Sequence, residues 1–465
     1  MSDNKVKELQ ETLGFSTKNG AKTLKNEEIH AADTYCEGYK AFLDDAKTER
    51  EAVKAAISLA EQNGFVPFVP GQKVAPGDKI YLNNRDKALI LAVIGEKPLA
   101  EGASIAVAHI DSPRLDLKPN PLYEDSELAY FDTHYYGGIK KYQWTATPMA
   151  LHGVVVKKDG TKVEVKIGED KTDPVFCITD LLPHLGQEQM KRTASDVVKG
   201  EDLNLLIGSR PLPETDGDNL TKLHILQLLN EKYGITEADF LSAELQIVPA
   251  FGARDLGLDR SMIGAYGHDD RVCAYPALTA LLENPHPTYT AITVLADKEE
   301  IGSDGNTGMQ SAFLPYFFED LAAATGTTGR QVLSRSLCLS ADVNAAFDPI
   351  YPEVMVKANS CQFNRGVCIT KYTGARGKSG TSDASAEYMA LIRRLLDQNE
   401  VLWQIGELGR VDAGGGGTVA KYIANLNVDT VDLGVPVLSM HAPFEVVSKI
   451  DVYMAHRAFS ALFSR

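Results

Sequence analysis

Four apolar runs of strand length in this 465-residue chain each end in side chains able to bind a cation. Residues 104–108 run into His109-Ile110-Asp111, 291–295 into Asp297-Lys298-Glu299-Glu300, 337–340 into Asp342, and 435–440 into His441. A further strand-like run, 367–370, and helix-like stretches at 271–282, 382–396 and 444–463 alternate with them. Such alternation predicts an α/β sheet with helices on both faces. Open α/β sheets carry their ligands beyond the carboxyl ends of the strands, which is where these side chains fall.

Upstream, Thr48 with Glu51 three positions later forms a capping-box pattern and predicts a helix over 49–62, ended by Gly64. Apolar runs at 88–94 and 104–108 then read as buried strands. From Pro113 to Pro249 the character changes to short β-type runs and turn residues. The runs 154–156 and 163–165 flank Asp159-Gly160, a hairpin signal. A polar stretch, 193–218, precedes a helix near 220–231. The expected division is a discontinuous first domain, 1–112 and 250–465, interrupted by a β-rich domain over 113–249.

The balance of 63 acidic against 47 basic residues, net charge −16, repels phosphate backbones and anionic lipid. Nucleic acid and membrane surfaces are therefore not expected partners; a small molecule or peptide is. No run approaches the roughly 20 apolar residues of a membrane span. Residues 1–13 lack the apolar core of a secretory signal. The six cysteines show no two-residue spacing of a zinc knuckle or redox motif and read as reduced thiols. A cytoplasmic protein is expected.

Taken one at a time, His109 or His441 reads as a structural histidine, Asp269-Asp270 and Glu299-Glu300 as solvated acids, and Asp342 as a turn residue. Their coincidence at sheet ends, with Asp269 just before a helix, matches a zinc-type donor set. Two divalent ions about 3.5–4 Å apart need a bridging carboxylate. Asp269 suits that role, with His109 and Asp342 completing one ion and Glu300 and His441 the other. Asp111 is placed to accept the second ring N–H of His109 and fix its tautomer. Glu299, not needed as a ligand, is left as general base. Glu299 and Asp111 are the candidate catalytic residues.

These residues resemble the aspartyl aminopeptidases and vacuolar aminopeptidase I, a family of dinuclear zinc metallopeptidases. The matching segments are Ala108-His109-Ile110-Asp111-Ser112-Pro113, Asp269-Asp270-Arg271, Glu299-Glu300-Ile301-Gly302-Ser303, Ser340-Ala341-Asp342, and Met440-His441-Ala442 with Glu445 beyond it. The resemblance implies the same metal ligands (His109, Asp269, Glu300, Asp342, His441) and Glu299 as base. It also implies a mixed-sheet α/β catalytic domain of the zinc exopeptidase type, with an inserted β-rich dimerisation domain. The implied assembly is a homo-oligomer, a tetrahedral dodecamer built from dimers, and the implied activity is removal of an acidic or leucine-like N-terminal residue from peptides. Two divalent ions per subunit are implied, zinc foremost, with cobalt or manganese also fitting N/O donors.

The chain departs from the family pattern in three places. Ala345 and Asp348 precede Pro349 where many members carry histidines. Glu188, in Pro183-His184-Leu185-Gly186-Gln187-Glu188, stands where others have a histidine that reaches a neighbouring subunit. The basic residue for an acidic substrate is not cleanly aligned, leaving Arg376 and Lys378 as candidates. Gly416 and Gly417, in the run 414–417 before Thr418, are candidates for backbone contact with substrate, since glycine permits close approach. Two other readings stay open: a metal-dependent N-acyl amino acid deacylase, and a non-catalytic assembly protein.

Overall fold

Period-two burial organises the centre of the molecule. Along strand Ala88–Val93, Leu89, Leu91 and Val93 pack into one apolar cluster, and Ile90 and Ala92 into another. Strand Ala103–His109 repeats the pattern, with Ala106 and Ala108 on one side and Ile105 and Val107 on the other. A strand apolar on both faces must be covered on both, each fully buried Leu or Ile contributing roughly 1.5–3 kcal/mol. In the computed structural model, which describes residues 3–213, 215–323 and 325–465, helices supply that cover. Asn26–Asp45, Glu49–Gln62, His268–Leu282, Ala386–Gln398 and Lys449–Phe463 pack on one face. Phe313–Ala323, Gly329–Leu333 and Ala420–Ala424 pack on the other.

The central sheet has nine strands in the order Val66–Pro67, Lys79–Asn84, Ala88–Val93, Thr290–Ala296, Ala103–His109, Leu337–Ser340, Asp429–Gly434, Val367–Thr370 and Trp403–Ile405. Its middle four, Thr290–Ala296 through Asp429–Gly434, are mutually parallel, so their carboxyl ends share one edge. Antiparallel pairings flank them, making the sheet mixed.

From Arg114 to Pro249 the chain builds a separate six-stranded antiparallel sheet with its own cluster around Trp144, Phe131 and Ile247. The hairpin at Asp159-Gly160 joins Met149–Val156 to Lys162–Ile167. The polar stretch 193–218 holds one unforeseen strand, Leu205–Gly208, which pairs with Leu128–Tyr136. Among the described residues no helix is long and apolar enough to cross a membrane.

Helix Glu49–Gln62 forms as expected: Thr48 Oγ1 accepts from the Glu51 N–H at 3.3 Å and Glu51 Oε2 from the Thr48 N–H at 3.1 Å. Three expectations are corrected. The run 435–440 is not a strand of the central sheet. That strand is Asp429–Gly434, and Pro436–Leu438 joins a third, five-stranded sheet. Pro436 has no N–H to extend a ladder, and Gly434 lies so close to the Asp342 carbonyl that any side chain would collide there. The helix expected over 444–463 begins at Lys449, because Glu445–Ser448 pairs antiparallel with Met262–Ala265. The helix expected from 382 begins at Ala386, where Ser385 Oγ accepts from the Tyr388 N–H. The 20-residue helix Asn26–Asp45 was not foreseen, though its buried residues Ala32, Cys36, Tyr39, Phe42 and Leu43 keep helical spacing.

Candidate metal centre

Strand register carries the candidate donors to one edge. Ala296 pairs with His109, and Ser340 with Val107, so Asp342, two residues past Ser340, lies level with His109. After Ala296 the chain turns through Lys298, with φ 65°, into the 3₁₀ turn Glu299–Ile301. Asp269 stands ahead of the regular part of helix His268–Leu282, with φ −82° and ψ 106°. His441 arrives from the third sheet, on the loop after Pro436–Leu438.

These side chains converge. Asp269 presents Oδ1 to His109 Nε2 at 3.1 Å and Oδ2 to His441 Nε2 at 3.2 Å. Glu300 Oε2 is 3.6 Å from His441 Nε2. Glu299 Oε2 and Asp342 Oδ1 lie 3.9 and 4.0 Å from His109 Nε2. Three sets, His109 with Glu299 and Asp342, His109 with Asp269 and Glu300, and Asp269 with Asp270 and Asp342, each place one donor atom per residue within 4.8 Å of one another. Buried Glu300 Oε1 has no hydrogen-bond partner.

The electrostatics describe a site short of positive charge. Burial lifts Glu299 to about 7 and pushes Glu300 and Asp342 well above the usual carboxylate range. Burial also opposes charge on the imidazoles, but the carboxylates override it, raising His441 to about 10 and His109 well above its ordinary value. Asp269 is held low against burial by hydrogen bonds from those two histidines. Borderline cations suit this set of two imidazoles and several crowded carboxylates, and would relieve the repulsion. The residues present therefore fit a metal.

Asp111 is fully buried behind the donors rather than among them. Its backbone carbonyl pairs with His109 Nδ1 at 3.0 Å, with Oδ1 3.3 Å from the same nitrogen; Oδ1 accepts from the Glu299 N–H at 3.1 Å and Oδ2 from the Glu300 N–H at 3.2 Å. Glu445, which sequence reasoning noted only as lying just after His441, bridges the other side. Its carboxylate accepts from the Asp269 N–H at 3.1 Å and the His441 N–H at 2.7 Å. Its position four residues after His441 was the available signal.

A cavity of ≈ 390 Å³ opens on the centre, lined by Asp269, Glu299, Glu300, Asp342 and His441 on one side and by Gly415, Gly416, Gly417 and Thr418 on another. Gly416 and Gly417 thus stand at the site. Arg376 and Lys378 do not: both are exposed, and Lys378 pairs with Asp383 at 2.9 Å and lies 3.7 Å over the Tyr372 ring. The lysine that lines the cavity is Lys421, and Asp432, also unforeseen, lines it with Oδ2 accepting from Thr418 Oγ1 at 3.0 Å. Glu188 is exposed and pairs with Lys191, and Asp348 caps a turn through the Ile350 N–H.

Known proteins share both sequence and fold with this chain. The profile of the aminopeptidase I zinc metalloprotease family, M18, matches residues 42–463. A probable M18 family aminopeptidase 1 from Clostridium acetobutylicum is 52% identical over 434 residues, covering 92% of this chain and 93% of that protein. The crystal structure of an M18 family aminopeptidase from Thermotoga maritima superposes with a TM-score of 0.92 at 44% identity, over 97% of this chain and 99% of the other. At 21% identity, the S. cerevisiae mApe1 dodecamer shares the fold, with a TM-score of 0.76 over 93% of this chain and 97% of that one.

Proposed function

The chain belongs to the aminopeptidase I zinc metalloprotease family, M18, and is an aminopeptidase; on that premise we propose that Asp269 bridges two divalent ions, one completed by His109 and Asp342 and the other by Glu300 and His441. The observation that carries this reading is the single Asp269 carboxylate turned with one oxygen to each imidazole, at 3.1 and 3.2 Å. Zinc is the metal named for the family; cobalt and manganese suit the same donors.

Two bound cations would polarise the scissile carbonyl and acidify a water molecule. Glu299, adjacent to a ligand and itself lining the cavity, takes the proton from the attacking water and passes it to the leaving amine. Asp111 keeps His109 in the tautomer that offers Nε2 inward. The carboxylate-rich wall beside Glu300 receives the free ammonium group of the substrate, limiting cleavage to the first residue. Gly416 and Gly417 offer backbone N–H groups to the peptide. Lys421, in place of Arg376 and Lys378, is the lining cation available to an acidic first side chain.

The inserted sheet is read as the dimerisation unit of a dodecamer assembled from dimers. Exposed Leu181, Leu182, Leu185 and Met190, on the loop between its strands Lys162–Ile167 and Leu205–Gly208, support that reading. Six free cysteines, five of them buried, support a cytoplasmic location.

The test is turnover of Asp-, Glu- and Leu-initiated peptides and their N-acetylated forms on metal-depleted protein, before and after zinc, cobalt or manganese is restored. Release of only free-amine residues, dependent on metal, is expected, and the ranking of the three assigns the preference. Reaction of the acetylated forms alone would replace this reading with a deacylase.

A further inference from the structure

The ligand candidates come from the central and third sheets and their connections, yet both imidazoles are backed by one short bend of the inserted sheet. At the end of strand Leu128–Tyr136, Tyr136 Oη donates to Asp111 Oδ2 at 2.8 Å. That carboxylate accepts the backbone N–H groups of Glu299 and Glu300 and lies 3.3 Å from His109 Nδ1, whose hydrogen bond, at 3.0 Å, goes to the backbone carbonyl of the same Asp111. Two residues later the Gly138 carbonyl accepts from His441 Nδ1 at 2.7 Å. Between them Gly137 has φ 75°, and a Cβ there would come within 3.3 Å of Glu300 Cβ and Oε2. The Tyr136 ring is clamped from behind: the Arg114 guanidinium lies 3.9 Å over it, held by Glu49 at 3.2 Å and Asp116 at 2.8 Å.

An imidazole whose Nδ1–H is engaged by an outer oxygen presents an Nε2 lone pair, and that outer partner sets ring angle and basicity. Resting on the ligand assignment above, we propose that the Tyr136-Gly137-Gly138 bend is the outer support of the metal centre. Tyr136 is its positioning residue, acting on His109, Glu299 and Glu300 through Asp111, while Gly138 orients His441. The inserted sheet is then part of the metal site as well as a surface for assembly.

The test compares Tyr136→Phe with Tyr135→Phe, an exposed neighbour. Zinc affinity is measured by chelator competition, and the visible spectrum is recorded on cobalt-loaded full-length protein. Tyr136→Phe is expected to weaken binding of at least one ion about 10–100-fold and to change the cobalt bands, with Tyr135→Phe matching wild type. Gly137→Ala, which keeps the Tyr136 hydroxyl, gives a second reading and is expected to weaken zinc as well. Wild-type zinc affinity and cobalt spectrum in Tyr136→Phe, or wild-type zinc affinity in Gly137→Ala, would overturn the proposal. His441→Ala separates the two levels: retained affinity there removes the ligand assignment itself, whereas lost affinity beside an unaffected Tyr136→Phe removes only the role of the bend.

Discussion

Glu299 sits where burial makes its carboxyl difficult to ionise, lifting it to about 7, whereas cations held beside it would favour the carboxylate. A carboxylate lining the cavity next to the donors is placed to accept a proton from water, as a general base requires. Glu299→Gln preserves size and removes the basic oxygen. We expect it to retain wild-type metal content by elemental analysis while turnover falls about 10²–10⁴-fold; wild-type rates would exclude Glu299 as the base. Asp269→Ala, by contrast, removes both oxygens that face the imidazoles. It should lose metal and activity together, and full occupancy in that variant would end the bridging assignment.

Among elements, helix Glu49–Gln62 has two roles, covering the central sheet and latching onto the inserted one. Glu51 completes its capping box and also lies 2.8 Å from His152 Nδ1, while His152 Nε2 lies 2.8 Å from Glu169. Both ring nitrogens can donate only when the imidazole is charged. Burial alone would lower His152, but the two carboxylates raise it; burial would raise Glu51 and Glu169, but His152 draws them down, with Lys47 adding to the pull on Glu169. The raised imidazole contributes stability that is full below its unfolded pKa of about 6.5 and is lost as pH rises through the folded value. The depressed carboxylates contribute stability present above about 4.3 and lost as pH falls through their folded values. Urea midpoints of wild type should therefore decline as pH rises above about 6.5. His152→Gln should flatten that part of the profile, and an unchanged slope would show that the latch does not titrate.

For the whole molecule, the centre joins the central sheet, the third sheet and, through Tyr136 and Gly138, the inserted sheet. Several of its carboxylates are buried together, so cations that bind only the folded state should stabilise the entire chain. Chelation should lower Tm, and added zinc should restore it in a concentration-dependent way; a melting curve indifferent to metal would contradict the site. Much of the centre was legible because local rules placed it. An apolar run long enough to be buried becomes a strand, and the residues just past its end must emerge at the sheet edge, so His109, Glu299, Glu300 and Asp342 could be found from their neighbours alone. The capping box at Thr48 and Glu51 was readable for the same reason. His441 is reached from an apolar run that belongs to the third sheet rather than the central one; the central strand ends at Gly434, where the Asp342 carbonyl, far away in sequence, leaves no room for a side chain. Arg376 and Lys378 are the sequence's candidates for receiving an acidic substrate side chain, yet the fold leaves both exposed, with Lys378 held by Asp383 and Tyr372, and puts Lys421 at the cavity. The sequence by itself determined the chemistry available and the strands that would carry it. Only the tertiary structure decided which oxygen faces which nitrogen and that a bend from another sheet backs both histidines, because those contacts join residues whose separation along the chain carries no periodic signal.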